Sequence, residues 1–263
     1  MVAMRWLAWL LFAAGSAALT FSQGGAQPAP QPQEGGVHFG EIGDPTKWPL
    51  SAIGTVRIIW GIGYSKQCTG TLVGPRLVLT AAHCVHMNGK ALPPDHVHFL
   101  AGLNKGMPGA HSLAARLDVA PGYIATEAPT AAGAANDWAL ITLEATIPVK
   151  PIAVQALDEF AFAAVARSGA ALQVGYGKDR PYLPSVRREC AIKPGANTGT
   201  FTFECLLNFG YSGAPILADV AGEPAVIGIG TLVYFAADKR PVMGVACSST
   251  QFSARVGELL GAR

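Results

Sequence analysis

Residues 66–80 read Lys-Gln-Cys-Thr-Gly-Thr-Leu-Val-Gly-Pro-Arg-Leu-Val-Leu-Thr. Two apolar or alternating runs, 66–73 and 76–80, flank a Gly-Pro pair, which is how strands and turns read in a sequence. The pattern recurs in both directions. Further runs lie at 54–60, 97–101, 113–119 and 138–143, and beyond the Pro-bearing connection 147–152 come six more, at 171–176, 186–191, 201–205, 215–218, 225–233 and 242–247. Six runs on each side of one connection predict an all-β chain: two six-stranded antiparallel Greek-key β-barrels, 48–150 and 151–249, packed around a cleft where a substrate would sit. Only the end, 250–263, reads as an α-helix. Ser249 or Thr250 can cap it, and Phe252, Val256, Leu259 and Leu260 form one apolar stripe.

Composition agrees with short strands and many turns. The 263 residues are 50% hydrophobic and only 14% charged, with 31 Gly and 19 Pro spread along the chain, which excludes a coiled coil or helical bundle. Nineteen Lys and Arg against seventeen Asp and Glu leave a formal charge of +2. No basic cluster marks a track for phosphates, so no nucleic-acid partner is expected.

The amino-terminal segment stands apart from this frame. Arg5 precedes an apolar run over 6–14 and small residues over 15–18, as in a secretory signal peptide, expected over 1–22 with a cut between 18 and 26. The alternative is an uncleaved anchor, but even stretched to Phe21 the run is short of the ~20 residues that span a bilayer and is broken by Gly15, Ser16 and Thr20. Residues 23–47 open on a Pro, Gln and Gly stretch and are expected to be a flexible leader or propeptide. Residues 1–36 are left out of the fold. The mature chain is then expected to be secreted, extracellular or periplasmic, with no membrane attachment after cleavage.

An oxidising compartment lets cysteines pair. Cys68 and Cys84 bracket two strand-like runs, Cys190 and Cys205 bracket another pair, and Cys247 is left over. Five cysteines allow fifteen ways to choose two bonds, so spacing alone does not fix the connectivity. Cys247 lies in the apolar run 242–247 and reads as an inert packed thiol.

Three segments carry chemistry. Leu79, Thr80, Ala81, Ala82, His83, Cys84 end a strand and put an imidazole, the side chain suited to proton transfer near neutral pH, in a turn. Asn136, Asp137, Trp138, Ala139, Leu140 place one carboxylate at the head of an apolar strand, where it needs a partner unless it caps the turn and faces solvent. Gly210, Tyr211, Ser212, Gly213, Ala214, Pro215 set a serine between glycines just before a strand. Such a turn exposes the hydroxyl and can aim the amides of Gly210 and Ser212 at a developing oxyanion.

In this order, His then Asp then Ser, the segments resemble the chymotrypsin and trypsin-like serine peptidases, over a span from about residue 48 to the end that includes Cys68, Thr69, Gly70, Thr71, Leu72, Val73. The resemblance implies Ser212 as nucleophile, His83 as general base and then acid, Asp137 as the group that orients the imidazole, and the amides of Gly210 and Ser212 as oxyanion hole. It implies a Cys68–Cys84 bridge, and by chain position Cys190 with Cys205 is the natural second pair. A polypeptide substrate, no cofactor, no metal and a monomeric state are expected with it.

Several positions depart from that family. Tyr211 stands where animal digestive members have Asp, and no Ile-Val-Gly-Gly follows a basic residue upstream, so their activating salt bridge has no counterpart. Segment 49–54, Pro-Leu-Ser-Ala-Ile-Gly, is similar in style to the bacterial secreted glutamyl endopeptidases. Ala214 stands where a second glycine is usual. Leu206 occupies the position that carries Asp in enzymes for Lys and Arg; with Leu207 and Gly230 it suggests a pocket for apolar or small side chains. Thr231 is a candidate for the hydroxyl that supports the catalytic carboxylate.

Other functions fit less well. Asp95, His96 and His98 lack a further metal ligand nearby. An α/β-hydrolase esterase has the order Ser, acid, His and a helix after its serine, whereas Pro215 and a strand follow Ser212. The rival of another class is a secreted binding module that keeps the scaffold without the chemistry.

Overall fold

The computed structural model describes residues 40–60, 64–125 and 130–261. The expected signal peptide and most of the expected leader lie outside them. The first half of the chain gives β1 (Glu41–Ile42), β2 (Ile53–Trp60), β3 (Tyr64–Gly74), β4 (Leu77–Thr80), β5 (His86–Met87), β6 (Lys90–Ala91), β7 (Val97–Ala101), β8 (Ala110–Val119) and β9 (Ala139–Leu143). The second half gives β10 (Ala153–Val154), α1 (Glu159–Ser168), β11 (Leu172–Gly175), β12 (Ser185–Arg187), β13 (Ala191–Pro194), β14 (Thr200–Glu204), β15 (Pro215–Val220), β16 (Glu223–Phe235), β17 (Pro241–Ser248) and α2 (Ser253–Gly261).

Strands β2, β3, β4, β9, β8 and β7 close into a six-stranded barrel. Alternation drives it where one face is wet: in β7, Val97, Phe99 and Ala101 point into the core while His98 and Leu100 point out. All four residues of β4 are buried, because this strand has packed structure on both faces.

The second sheet runs β1-β12-β11-β15-β16-β17-β14-β13, with β10 pairing β16 in parallel, and it forms a half-barrel. The run expected as one strand over 186–191 is in fact two. Glu189 takes φ +56°, a left-handed conformation that interrupts an extended run. The halves part to opposite ends of the sheet, β12 beside β11 and β1, β13 beside β14. Residues 188–190 therefore close this ring through the chain itself rather than through a ladder. Cys190 at this corner is bridged to Cys205.

Two further elements position the whole. Helix α1 was not expected, since only the end of the chain reads as helix. It is capped at both ends, Asp158 Oδ1 accepting from Ala161 N at 2.7 Å and Gly169 ending it at φ +64°. Its Phe162, Val165 and Ala166 cover the half-barrel core around Phe201 and Phe203. Helix α2 carries the expected stripe: Phe252 and Val256 are buried, with Leu259 and Leu260 against the core of the first barrel. Leu260 lies over Gly74, where a Cβ would come within 2.4 Å of it. Arg255 grips the carboxylate of Asp118 on β8 at 3.0 and 2.8 Å and holds its pKa below the usual carboxylate range. No helix among the described residues is long and apolar enough to cross a membrane.

Candidate active site

Strands β4 and β9 are neighbours, with Thr80 opposite Ala139. The segment leaving β4 and the segment entering β9 therefore meet at the same end of the barrel. After β4 a short helical turn, Ala82–Val85, presents His83, and the Cys68–Cys84 bridge ties that turn to β3 with Cα atoms 6.1 Å apart. Before β9 another turn, Ala134–Asn136, delivers Asp137. The carboxylate engages the histidine twice: Oδ2 lies 2.7 Å from His83 Nδ1, and Oδ1 accepts from the His83 backbone N–H at 2.9 Å. The Asp137 side chain is 2% exposed and that of His83 14%. Both oxygens are satisfied, as a buried charge requires, and the imidazole is left with Nε2 directed away from Asp137.

One cation near this pair went unnoticed in the sequence. Lys66 Nζ donates to the His83 carbonyl at 2.6 Å. Burial lowers its pKa, and the Asp137 carboxylate opposes that shift. A lysine within a strand was the available signal, but an alternating run gives polar residues at every second position without distinction.

The loop before β15 carries Ser212 and is fastened to the first barrel by Thr69. Thr69 N–H donates to the Ser212 carbonyl at 2.9 Å, and its hydroxyl donates to the Gly210 carbonyl at 3.0 Å while accepting from Tyr176 N–H at 2.9 Å. Cys84 Sγ lies 3.9 Å from the Ser212 carbonyl oxygen, so the bridge that carries the histidine turn also touches the serine loop. Thus His83, Asp137 and the Ser212 loop come together at the seam between the barrels. The Ser212 hydroxyl is hydrogen-bonded to no group among the described residues, His83 included.

Peptide planarity fixes where two amides of this loop point. The Phe209 carbonyl accepts from Lys178 N at 2.7 Å, and the Tyr211 carbonyl accepts from Ala214 N at 2.9 Å. In a trans peptide the carbonyl and the following N–H point in opposite directions. The N–H groups of Gly210 and Ser212 are therefore turned away from those contacts, and neither meets an acceptor among the described residues. Gly210 holds φ +92°, a conformation open to glycine.

The remaining residues singled out in the sequence have other partners. Leu206 is buried, its N–H donating to Gln173 Oε1 at 2.8 Å; Gly230 and Thr231 are buried and Leu207 half-buried. The Thr231 hydroxyl donates to the Val245 carbonyl at 3.1 Å and not to Asp137. Apolar surface is instead exposed at Phe209, 68% accessible, whose ring stacks 6.2 Å from that of Phe235. A cavity of about 240 Å³ is lined by Ala131, Tyr234, Met243 and Val245 among others, and by none of His83, Asp137, Ser212 or Phe209. Cys247 is buried and unbridged, and burial raises its thiol pKa well above the ordinary value, as does the Asp137 carboxylate. His96 Nδ1 pairs with the Ile59 carbonyl and its Nε2 lies 4.0 Å from Asp95 Oδ1, while His98 Nδ1 lies 3.0 Å from His111 Nε2, so Asp95, His96 and His98 do not gather around one point. Cys68, His83 and Cys84 have ligand atoms within metal-binding reach, but both thiols are spent in the bridge.

Comparison with known proteins gives consistent results. A family model described as Trypsin matches residues 45–256. The cercarial protease of Schistosoma mansoni is 36% identical over 89 residues, 34% of this chain and 30% of that protein. The serine protease SP24D of Anopheles gambiae is 27% identical over 175 residues, 63% of this chain and 60% of that protein. The matches thus span 30% and 60% of the length of these curated relatives. Among solved structures, the scabies mite inactivated protease paralogue S-I1 superposes with a TM-score of 0.65 at 17% identity, covering 86% of this chain and 100% of that one, a likeness of fold.

Proposed function

Because the chain belongs to the trypsin family, we propose that it is a secreted serine endopeptidase that cleaves polypeptides through an acyl-enzyme. Ser212 Oγ attacks the scissile carbonyl and His83 Nε2 takes its proton. Asp137 holds the Nδ1–H tautomer and stabilises the imidazolium, and the unpaired amides of Gly210 and Ser212 receive the oxyanion. His83 then returns the proton to the leaving amine, and a water molecule repeats the sequence to release the acid. The observation that carries this reading is the two-point grip of Asp137 on His83, at 2.7 and 2.9 Å, beside a serine loop fastened by Thr69.

The relatives named above come from a schistosome and a mosquito. They lend no support to the bacterial glutamyl-endopeptidase branch that segment 49–54 suggested. The two bridges fit an extracellular setting.

A preference for apolar side chains belongs to the same proposal. Leu206 offers no charge to a basic residue, and Phe209, three residues before Ser212, presents apolar surface together with Phe235, whose ring stacks on it. A peptide-library digest is expected to show apolar residues ahead of the cut; a profile dominated by Arg or Glu would overturn that preference.

A catalytically silent binding module is the second reading, favoured by one observation: the solved neighbour is described as inactivated. A fluorophosphonate probe separates the two. The peptidase is expected to label at Ser212, with labelling lost in His83→Ala, whereas a folded, processed protein that does not label is a binding module.

A further inference from the structure

The serine loop is held from below by a carboxylate outside the proposed triad. Asp179 reaches it on both sides of Gly210: Asn208 Nδ2 donates to Oδ1 at 3.3 Å, and the Tyr211 hydroxyl donates to Oδ2 at 3.3 Å. The Tyr211 ring, 4% exposed, lies in a slot floored by two glycines. A Cβ at Gly175 would stand 2.8 Å from the ring, and one at Gly177 would stand 2.4 Å from it. Such a fit leaves the ring one position. Arg180, the next residue, donates to the Gly40 carbonyl at 2.9 Å and to Ser185 Oγ at 3.2 Å, fastening the Asp179 segment to the sheet edge where β1 pairs with β12.

We propose that Asp179 and Tyr211 form an internal clamp that holds the amides of Gly210 and Ser212 in the oxyanion-binding direction, Tyr211 being a positioning residue and Asp179 its anchor. The proposal rests on the peptidase reading. The two pinned carbonyls that set those amides, at Phe209 and Tyr211, immediately precede Gly210 and Ser212. Asn208 and Tyr211 bracket the segment, so one carboxylate chelates the stretch whose direction matters. Burial, against hydrogen bonding from Ser185, pushes the Tyr211 phenol up to about 12, which keeps it a donor through the working pH range. Every member of the clamp belongs to the uncut chain, so a cleavage next to a basic residue is not needed to assemble it.

Tyr211→Phe and Asp179→Ala, singly and together in the full chain, test this with two readouts. Each single variant is expected to lower kcat about 10- to 100-fold with KM held within about threefold, and the double variant to lose no more than either, as members of one unit do. Amide exchange at Lys178 and Ala214, donors to the two pinned carbonyls, is expected to accelerate about tenfold as the loop opens locally. Should Tyr211→Phe fail to fold, Asp179→Ala, at an exposed position, carries both readouts. Unchanged exchange in the variants overturns the clamp, and so does accelerated exchange with kcat unaltered. Parent protein that fails to label with fluorophosphonate defeats the peptidase reading instead; exchange then still decides the clamp, acceleration supporting it and constancy overturning it.

Discussion

Asp137→Asn is expected to lower kcat about ten-thousand-fold while leaving the thermal midpoint close to that of the parent. The reason lies in the two-point grip. Oδ1 accepts the His83 backbone N–H and Oδ2 faces His83 Nδ1. An Asn amide has one acceptor oxygen and one donor nitrogen. Satisfying the backbone N–H with the oxygen turns the NH2 group toward Nδ1, which must then be the unprotonated nitrogen. The ring proton moves to Nε2, where the proposed mechanism needs a base for Ser212. Both polar contacts survive, so the fold has little reason to change, and the loss falls on turnover. Steady-state kinetics beside a melting curve checks both halves. A variant retaining more than about a tenth of the parental kcat would remove Asp137 from the mechanism.

Gly213→Ala is expected to cost about 3 kcal/mol of stability and to abolish fluorophosphonate labelling. Gly213 holds φ +76°, and a Cβ there would come within 2.4 Å of both the Thr69 carbonyl oxygen and Thr80 Oγ1. Those two atoms belong to one 2.8 Å hydrogen bond between β3 and β4, so neither can withdraw without breaking it. The left-handed conformation costs an alanine about 1 kcal/mol, and forcing the barrels apart adds about 2 kcal/mol. The same displacement separates the serine loop from the histidine turn. Gly222→Ala is the control: its φ is +86° with nothing within 4 Å of the added Cβ, so it should lose only the conformational share. Urea denaturation separates the two through the midpoint at constant slope. A Gly213→Ala protein no less stable than the Gly222→Ala protein would show that the barrels have slack at Thr69 and Thr80.

Strands were the most legible part of the chain, because alternation and turn residues are local signals; residues 97–101 read as the strand that forms, residue for residue. The break at Glu189 was not legible. Arg187, Arg188 and Glu189 contain none of the residues that usually mark a left-handed turn. Helix α1 had visible caps in Asp158 and Gly169, but exposed Phe160 beside inward Phe162 blurs its apolar stripe. At the site, motifs drew attention to His83, Asp137 and Ser212, whereas the groups that fix their directions act across the chain. Thr69 reaches Gly210 over a separation of 141 residues and Tyr176 over 107, and Asp179 sits in a polar stretch like any other. Thr231 shows the converse. Its position in the sequence suggested a partner for Asp137, and the register of β16 with β17 gave its hydroxyl the Val245 carbonyl instead.

Helix α2 follows every strand in the chain, yet Val256, Leu260 and Arg255 complete the barrel built from the earlier ones. A ribosome must therefore deliver every strand, and α2 after them, before the half bearing the imidazole can finish packing. A chain stopped short of Ser253 would leave the apolar floor around Gly74 uncovered.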